Sequence, residues 1–142
     1  MTINQLSIFI ENRSGTLIKV LEVLKEAKIQ IVASTIADTA EYGIYRIICT
    51  EPIRACEALK AAGVAVALSE VFAIQLDNRP GCAADAVKTF SDAGIGITYL
   101  YSFLLEGHGI LIFRTDNTDD TREVIERNQL RYISEKHLQD LV

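Results

Sequence analysis

Two short turns carry the residues of this chain that are best suited to bind a small charged ligand. Each turn follows an apolar strand-like segment and precedes a helical pattern, and the two read Glu11-Asn12-Arg13-Ser14-Gly15 and Asp77-Asn78-Arg79-Pro80-Gly81. A helix N-terminus offers unpaired N–H groups and a partial positive charge, which favour a carboxylate. Glycine allows close approach to the backbone, and asparagine or carbonyl oxygens can accept from an ammonium group. The chemistry on offer is therefore that of a site for a small ligand that carries a carboxylate.

The candidate binding residues are those of the two turns and of the helical turns that follow them: Asn12, Arg13, Ser14, Gly15, Thr16, Leu17, Asn78, Arg79, Pro80, Gly81, Cys82 and Ala83. Each also has a purely structural interpretation. Asparagine and glycine suit a tight turn, Ser14 suits an N-cap, and Pro80 suits a first helical position. Arg13 and Arg79 could equally be solvated at a loop edge, and Cys82 could be a small buried residue. The recurrence of the pattern favours ligand binding.

The other reactive side chains do not form a recognisable catalytic or metal site. Cys49, Cys56 and Cys82 are scattered without a Cys-x-x-Cys pair, and His108 and His137 lack ligand spacing. No nucleophile–base pair is indicated, and no glycine-rich phosphate loop follows the first strand. The sequence therefore predicts no metal, no cofactor and no enzymatic activity.

Charge and hydropathy limit the partners and the location. The net charge is −5, from 14 basic and 19 acidic residues among 142, which argues against nucleic acid as the main partner. The longest apolar run, residues 61–68, is far shorter than the ~20 residues of a spanning helix, and residues 1–5 do not resemble a signal peptide. With three scattered cysteines, an odd number, the expected location is the reducing cytoplasm.

The chain is an internal repeat. A single constant shift along the sequence aligns its two halves without a gap, bringing Gly15 onto Gly81, Ala27 onto Ala93 and Gly43 onto Gly109. Identical residues are few, but apolar positions correspond throughout, which is typical of two structural copies. We therefore predict one unit over residues 1–70 and a second over residues 71–142.

Each copy shows the same order of strand and helix patterns. In the first copy these are a strand at 5–10, a helix at 14–28, strands at 29–37 and 44–50, a helix at 52–62 and a strand at 64–70 that could continue into 71–76. In the second they are a strand at 72–76, a helix at 80–93, strands at 95–105 and 109–115, a helix at 119–127, a short strand at 130–133 and a last helical turn capped by Ser134.

The order βαββαβ, found twice, predicts an α+β fold of two tandem ferredoxin-like units, each an antiparallel sheet with its helices on one face. Neither face of the strands is cleanly polar. Tyr99 and Tyr101, for example, alternate with Leu100. An apolar second face is usually covered, here by the other copy, a second chain or both. The tyrosines could line a ligand pocket or pack at such an interface.

The βαββαβ units and the turn Asp77-Asn78-Arg79-Pro80-Gly81 resemble the ACT domain, whose signature is acidic-x-Arg-Pro-Gly, and the first turn matches with Ser14 in place of proline. The resemblance covers nearly the whole chain as two copies. It implies a regulatory module that binds a free amino acid at unit interfaces beside the strand–helix turns. It also implies a homodimer and a regulated enzyme or transporter in trans, since the chain has no room for a catalytic domain. A dimerisation adaptor without a ligand remains the alternative.

Overall fold

The computed structural model describes residues 1–11, 15–38 and 42–141, which form six strands and five helices. The first half contains β1 (Thr2–Glu11), α1 (Thr16–Glu26), β2 (Ile31–Asp38), β3 (Tyr42–Cys49) and α2 (Pro52–Ala61). The second contains β4 (Val66–Leu76), α3 (Cys82–Asp92), β5 (Ile97–Leu105), β6 (His108–Thr115), α4 (Thr118–Arg127) and α5 (Glu135–Leu141). The α+β class and the repeated order of elements are confirmed.

The chain divides into two compact units. The first unit is Asn4–Ser69, and the second is Glu70–Leu141 together with Met1–Ile3. The division falls inside β4, a single strand of 11 residues, so the last strand of the first copy does continue into the first strand of the second. Among the described residues, no helix combines the length and apolar character needed to cross a membrane.

In the first unit, β3 pairs antiparallel with β1 on one side and with β2 on the other. Phe9 donates its N–H to the carbonyl of Ala65 at 3.0 Å, so the chain leading into β4 lies along the remaining side of β1. Alternate residues of β1 and β3 face the two helices. The resulting core contains Leu6, Ile8, Ile10, Tyr45, Ile47 and Cys49 from the strands and Val20, Leu24, Ala55, Cys56 and Leu59 from the helices.

In the second unit, β6 pairs antiparallel with β4 and with β5. Gln75 donates its N–H to the carbonyl of Arg131 at 2.7 Å, the same contact that Phe9 and Ala65 make at the equivalent positions of the first copy. The predicted strand at 130–133 is wrong in extent, because it is a single antiparallel bridge between Ile74 and Tyr132. The chain leaves the sheet at once, as Ser134 accepts the N–H of His137 at 3.1 Å and begins α5.

The core of the second unit lies between its sheet and α3 and α4. The ring of Phe113 stacks with Phe72 at 5.6 Å and contacts Phe90 at 4.9 Å, measured between centroids. The opposite face of the same strands is also apolar, as the sequence predicted. Ala73 and Ile112 pair across β4 and β6 and are fully buried, so both faces of these central strands are shielded from water.

Candidate functional site

The two glycines of the strand–helix turns are required by the backbone. Gly15 is the N-cap of α1 with φ 93°, and Gly81 is the N-cap of α3 with φ 88°. Other residues rarely adopt these left-handed values. The space where a Cβ would stand is open at both positions, with no atom within 4 Å. The glycines therefore set the turn, and the surface above them has room for a ligand.

Neither α1 nor α3 is capped by a side chain in the part of the chain that the structure describes. Instead, the glycine carbonyl begins the helix, accepting the N–H of Lys19 at 3.2 Å in α1 and that of Asp85 at 3.0 Å in α3. Thr16 also donates its hydroxyl to the carbonyl of Glu11 at 2.8 Å, which ties α1 to the end of β1. The first turn of α1 has no acidic residue, whereas Asp85 lies in the first turn of α3 and offsets part of the positive charge at that N-terminus.

Beside each turn lies an open cleft between the end of a strand, the first half of a helix and the loop after the second helix. The N-terminal cleft has a volume of about 300 Å³ and is lined by Phe9, Ile10, Glu11, Thr16, Lys19, Val20, Gly63, Val64 and Ala65. The C-terminal cleft has a volume of about 320 Å³ and is lined by Gln75, Leu76, Asp77, Arg79, Cys82, Asp85, Ala86, Thr89, Gln129, Leu130 and Arg131.

The two clefts are the same feature built twice. All nine lining positions of the N-terminal cleft recur in the C-terminal cleft when the two copies are aligned as Gly15 onto Gly81. The loop that closes each cleft has the same backbone, since Gly63 and Gln129 are both left-handed, with φ 82° and 52°. Val64 and Leu130, which follow them, each donate an N–H to the preceding helix at 3.0 Å. The repeat therefore preserves the cleft as well as the fold.

The candidate residues from the sequence fall at the edge of these clefts. Thr16 lines the N-terminal cleft, and Arg79 and Cys82 line the C-terminal one. The other described candidates are exposed on the turns without lining either cleft: Gly15, Leu17, Asn78, Pro80, Gly81 and Ala83. Asn12, Arg13 and Ser14 lie outside the described residues.

Sequence reasoning missed two groups of lining residues. One group follows the second helix of each copy, at 63–65 and 129–131. The other lies along α3, where Asp85 and Thr89 come three and seven residues after Cys82 and so share its side of the helix. Helical spacing from Cys82 could have identified the second group. The first could have been found because the ferredoxin-like order places the last strand beside the first.

The ionisable groups of the C-terminal cleft are exposed and of both signs. The Arg79 Nε lies 3.8 Å from an Asp77 carboxylate oxygen, and both side chains are more than half exposed, so this ion pair contributes little to stability. Cys82 is buried, as are Cys49 and Cys56. Within residues 1–11, 15–38 and 42–141, no group of three or more His, Cys, Asp or Glu side chains could hold a metal ion.

Comparison with known protein families agrees with the repeated fold and the repeated cleft. A family model described as an ACT domain pair matches residues 1–142. The chain therefore belongs to the ACT domain pair family, a family of regulatory modules. No protein of curated function matches the chain at a significant level.

Solved structures extend this comparison. Protein BT0572 from Bacteroides thetaiotaomicron is 36% identical, with a TM-score of 0.93 over 99% of this chain and 98% of that one. The regulatory subunit of aspartate kinase from Thermus thermophilus, in its ligand-free form, is 14% identical, with a TM-score of 0.62 over 87% and 91% of the two chains. The corresponding subunit from Thermus flavus is 18% identical, with a TM-score of 0.59 over 87% and 88%. The two kinase subunits share the fold.

Proposed function

We propose that this chain is a non-catalytic regulatory module that binds a free amino acid, or a ligand of similar size, beside its strand–helix turns. The observation that carries the proposal is the repetition of one cleft at nine equivalent positions. Because both clefts border equivalent helix N-termini, each copy offers the same kind of surface to a ligand. At about 300 Å³, each cleft lies at the small end of the range for ligand pockets.

The chemistry of the cleft supports a carboxylate-bearing ligand. Each cleft reaches the first turn of a helix without a side-chain cap, where backbone N–H groups and the helix dipole favour an anion. Carboxylate side chains, Glu11 in one cleft and Asp77 in the other, supply acceptors for an ammonium group. An amino acid carries both groups.

The regulatory role includes a partner. We propose that the chain acts on an enzyme or transporter in trans, as a homodimer, in the reducing environment of the cytoplasm. The kinase subunits that share its fold are regulatory subunits by name, which supports action on a separate catalytic chain. The oligomeric state is tested by light scattering during gel filtration, where a monomer at all concentrations would contradict the homodimer.

A thermal-shift screen against the common amino acids tests the ligand. At ~100 times its dissociation constant, a ligand adds about 2.7 kcal/mol to the free energy of unfolding. For a chain of this size, that corresponds to a rise of roughly 5–12 °C in the midpoint. We expect one amino acid, or a chemically related group, to give such a rise. If none does, the amino-acid function is wrong and the adaptor takes its place.

Variants that fill the clefts locate the effect. Lys19→Trp with Thr89→Trp places a large ring in both clefts and should abolish the thermal shift. Lys25→Trp with Ser91→Trp is the matched control, because both residues lie exposed on the same two helices and line neither cleft. A shift that survives the first pair, or is lost equally in both, would place the ligand elsewhere.

A further inference from the structure

We infer that the two clefts are not equivalent, and that the C-terminal cleft is the one that binds the zwitterionic head group of an amino acid. This inference rests on the proposed function and specifies which site carries it. The nine shared positions make the comparison direct, because each residue of one cleft has a counterpart on the same backbone in the other. Differences between counterparts therefore report on ligand chemistry rather than on fold.

Apart from Thr16, whose counterpart is the buried thiol Cys82, four of these pairs change the chemistry of the surface. Ala65 in the N-terminal cleft corresponds to Arg131, Lys19 to Asp85, Phe9 to Gln75, and Gly63 to Gln129. In every pair, the second copy has a polar or charged side chain. Two of the pairs replace an apolar residue or glycine with an amide, one introduces a cation, and one reverses the sign of a charge.

The C-terminal cleft offers both halves of a recognition site for a zwitterion. Arg131 can form paired hydrogen bonds with a carboxylate, and its backbone is fixed in the wall of the cleft by the 2.7 Å hydrogen bond from Gln75. Asp85, in the first turn of α3, can accept hydrogen bonds from an ammonium group. Because Asp77 lies near Arg79, Asp85 is the carboxylate better placed to meet an ammonium.

The N-terminal cleft lacks this arrangement. Lys19 occupies the position that corresponds to Asp85. Its positive charge would repel an ammonium group, which the carboxylate of Asp85 would attract. Ala65 has no donor to replace Arg131. Phe9, 52% exposed, presents an aromatic surface where the other cleft has the amide of Gln75. The described wall of this cleft therefore has Lys19 as its only cation and Glu11 as its carboxylate, but it has no arginine and no carboxylate on the helix to match Arg131 and Asp85.

Isothermal titration with the amino acid that gives the largest thermal shift tests this assignment. We expect one bound molecule per chain in the wild type. Arg131→Ala and Asp85→Lys should each weaken binding at least about tenfold, the loss expected for a charge-assisted hydrogen bond. Both variants install the residue that the first copy carries at the same place, so the fold accepts them. Lys25→Ala and Ser91→Ala, at exposed positions of the same two helices outside both clefts, are the controls and should leave the wild-type affinity unchanged.

Derivatives of the same amino acid test the head group. Its carboxamide lacks the negative charge and its N-acetyl form lacks the positive one, and each should bind at least about tenfold more weakly than the parent. Unchanged affinity in Arg131→Ala and Asp85→Lys, or two equal sites per chain, would overturn the inference while leaving the proposed function in place. If none of the common amino acids binds the wild type, both are overturned.

Discussion

Lys28 and Gly94 occupy equivalent positions of the repeat and share one left-handed backbone conformation, with φ 58° and 76°. Each ends the turn after the first helix of its unit. The residue that follows donates its N–H back to the helix, from Ile29 to Leu24 at 2.9 Å and from Ile95 to Phe90 at 3.0 Å. The two copies therefore need the same backbone, but only the second has the residue that adopts it without strain.

Lys28→Gly should stabilise the protein. A left-handed conformation costs an ordinary residue about 1–2 kcal/mol, whereas glycine gives back about 0.4–1 kcal/mol through the greater entropy of the unfolded chain. We expect a net gain of roughly 0.5–1 kcal/mol in the free energy of unfolding, measured with urea. Lys28→Ala controls for the lost charge and should gain little, because alanine keeps the strain. A glycine variant no more stable than the alanine variant would contradict this prediction.

Two residues after Lys28 and Gly94, the backbone N–H donates to a different kind of side chain in each unit. Gln30 donates its N–H to the hydroxyl of Thr50 at 3.0 Å, and the counterpart Gly96 donates to a carboxylate oxygen of Asp116 at 3.1 Å. A Cβ on Gly96 would lie only 2.8 Å from the other oxygen of Asp116. Aspartate at this position therefore requires glycine opposite it, whereas threonine accepts the side chain of glutamine.

Gly96→Ala should destabilise the wild type and be tolerated once Asp116 is replaced by threonine. In the wild type, the carboxylate must rotate away and lose a hydrogen bond worth about 0.5–1.5 kcal/mol. In the Asp116→Thr variant, the first copy shows that both side chains fit. A double-mutant cycle of urea unfolding measures the coupling. Equal costs of Gly96→Ala in both backgrounds would show that the two residues are independent.

The sequence predicted the fold well because the repeat made every pattern visible twice. The helices predicted to begin at residues 14 and 80 begin at Thr16 and Cys82, directly after the glycine of each turn. The predicted length of the strand at 130–133 was too great. The prediction followed the first copy, whose equivalent residues lead into the strand β4. The last helical turn capped by Ser134 is confirmed, and this cap draws the chain into α5 after a single bridge.

The candidate site was harder to predict, because a cleft is defined by residues distant in sequence. Of the residues predicted from the turns, Thr16, Arg79 and Cys82 line a cleft. Arg131 and Ala65 had no local signal of their own, since nothing in a loop sequence shows which strand it will lie beside. Their contacts with Gln75 and Phe9 depend on the strand order, which determines the cleft only once the sheet is assembled.

A pH-dependent contact joins Arg54 and Glu51 at the start of α2. Arg54 Nη2 and Nε donate to the two carboxylate oxygens of Glu51 at 2.6 and 3.2 Å, and Nη1 donates to the carbonyl of Ala27 at 2.5 Å. The hydrogen bond from Arg54, assisted by its charge, lowers the pKa of the Glu51 carboxyl below its ordinary value. The contribution to stability is therefore complete above that ordinary pKa and is lost as the pH falls through the lowered one.

Arg54→Ala should raise the pKa of Glu51 towards its ordinary value, which carboxyl NMR titration measures directly. Glu51→Gln should reduce the free energy of unfolding more at neutral pH than in acid, because the protonated glutamate has already lost the ion pair. The effect on stability is small, as both side chains are exposed. An unaltered titration midpoint in Arg54→Ala would mean that the contact is not populated in solution.

The last prediction concerns two hydroxyls buried in the second unit. The Thr115 and Thr121 oxygens lie 2.7 Å apart, and both hydroxyls can donate to the carbonyl of Asn117, at 3.2 and 2.7 Å. At the same positions, the first unit has the buried pair Cys49 and Ala55. One copy therefore satisfies a polar pair at a place where the other has a thiol and a methyl group.

Replacing both threonines should cost less than the sum of the single replacements. Thr121→Ala removes one hydrogen bond of the buried Thr115 hydroxyl, which can still donate to the carbonyl of Asn117, so the loss is about 0.5–1.5 kcal/mol. Thr115→Cys with Thr121→Ala reproduces the first unit and removes both groups together. We expect the double variant to recover roughly 0.5–1.5 kcal/mol relative to additivity in urea unfolding. Strictly additive costs would show that the hydroxyls contribute through packing alone, without the hydrogen bond between them.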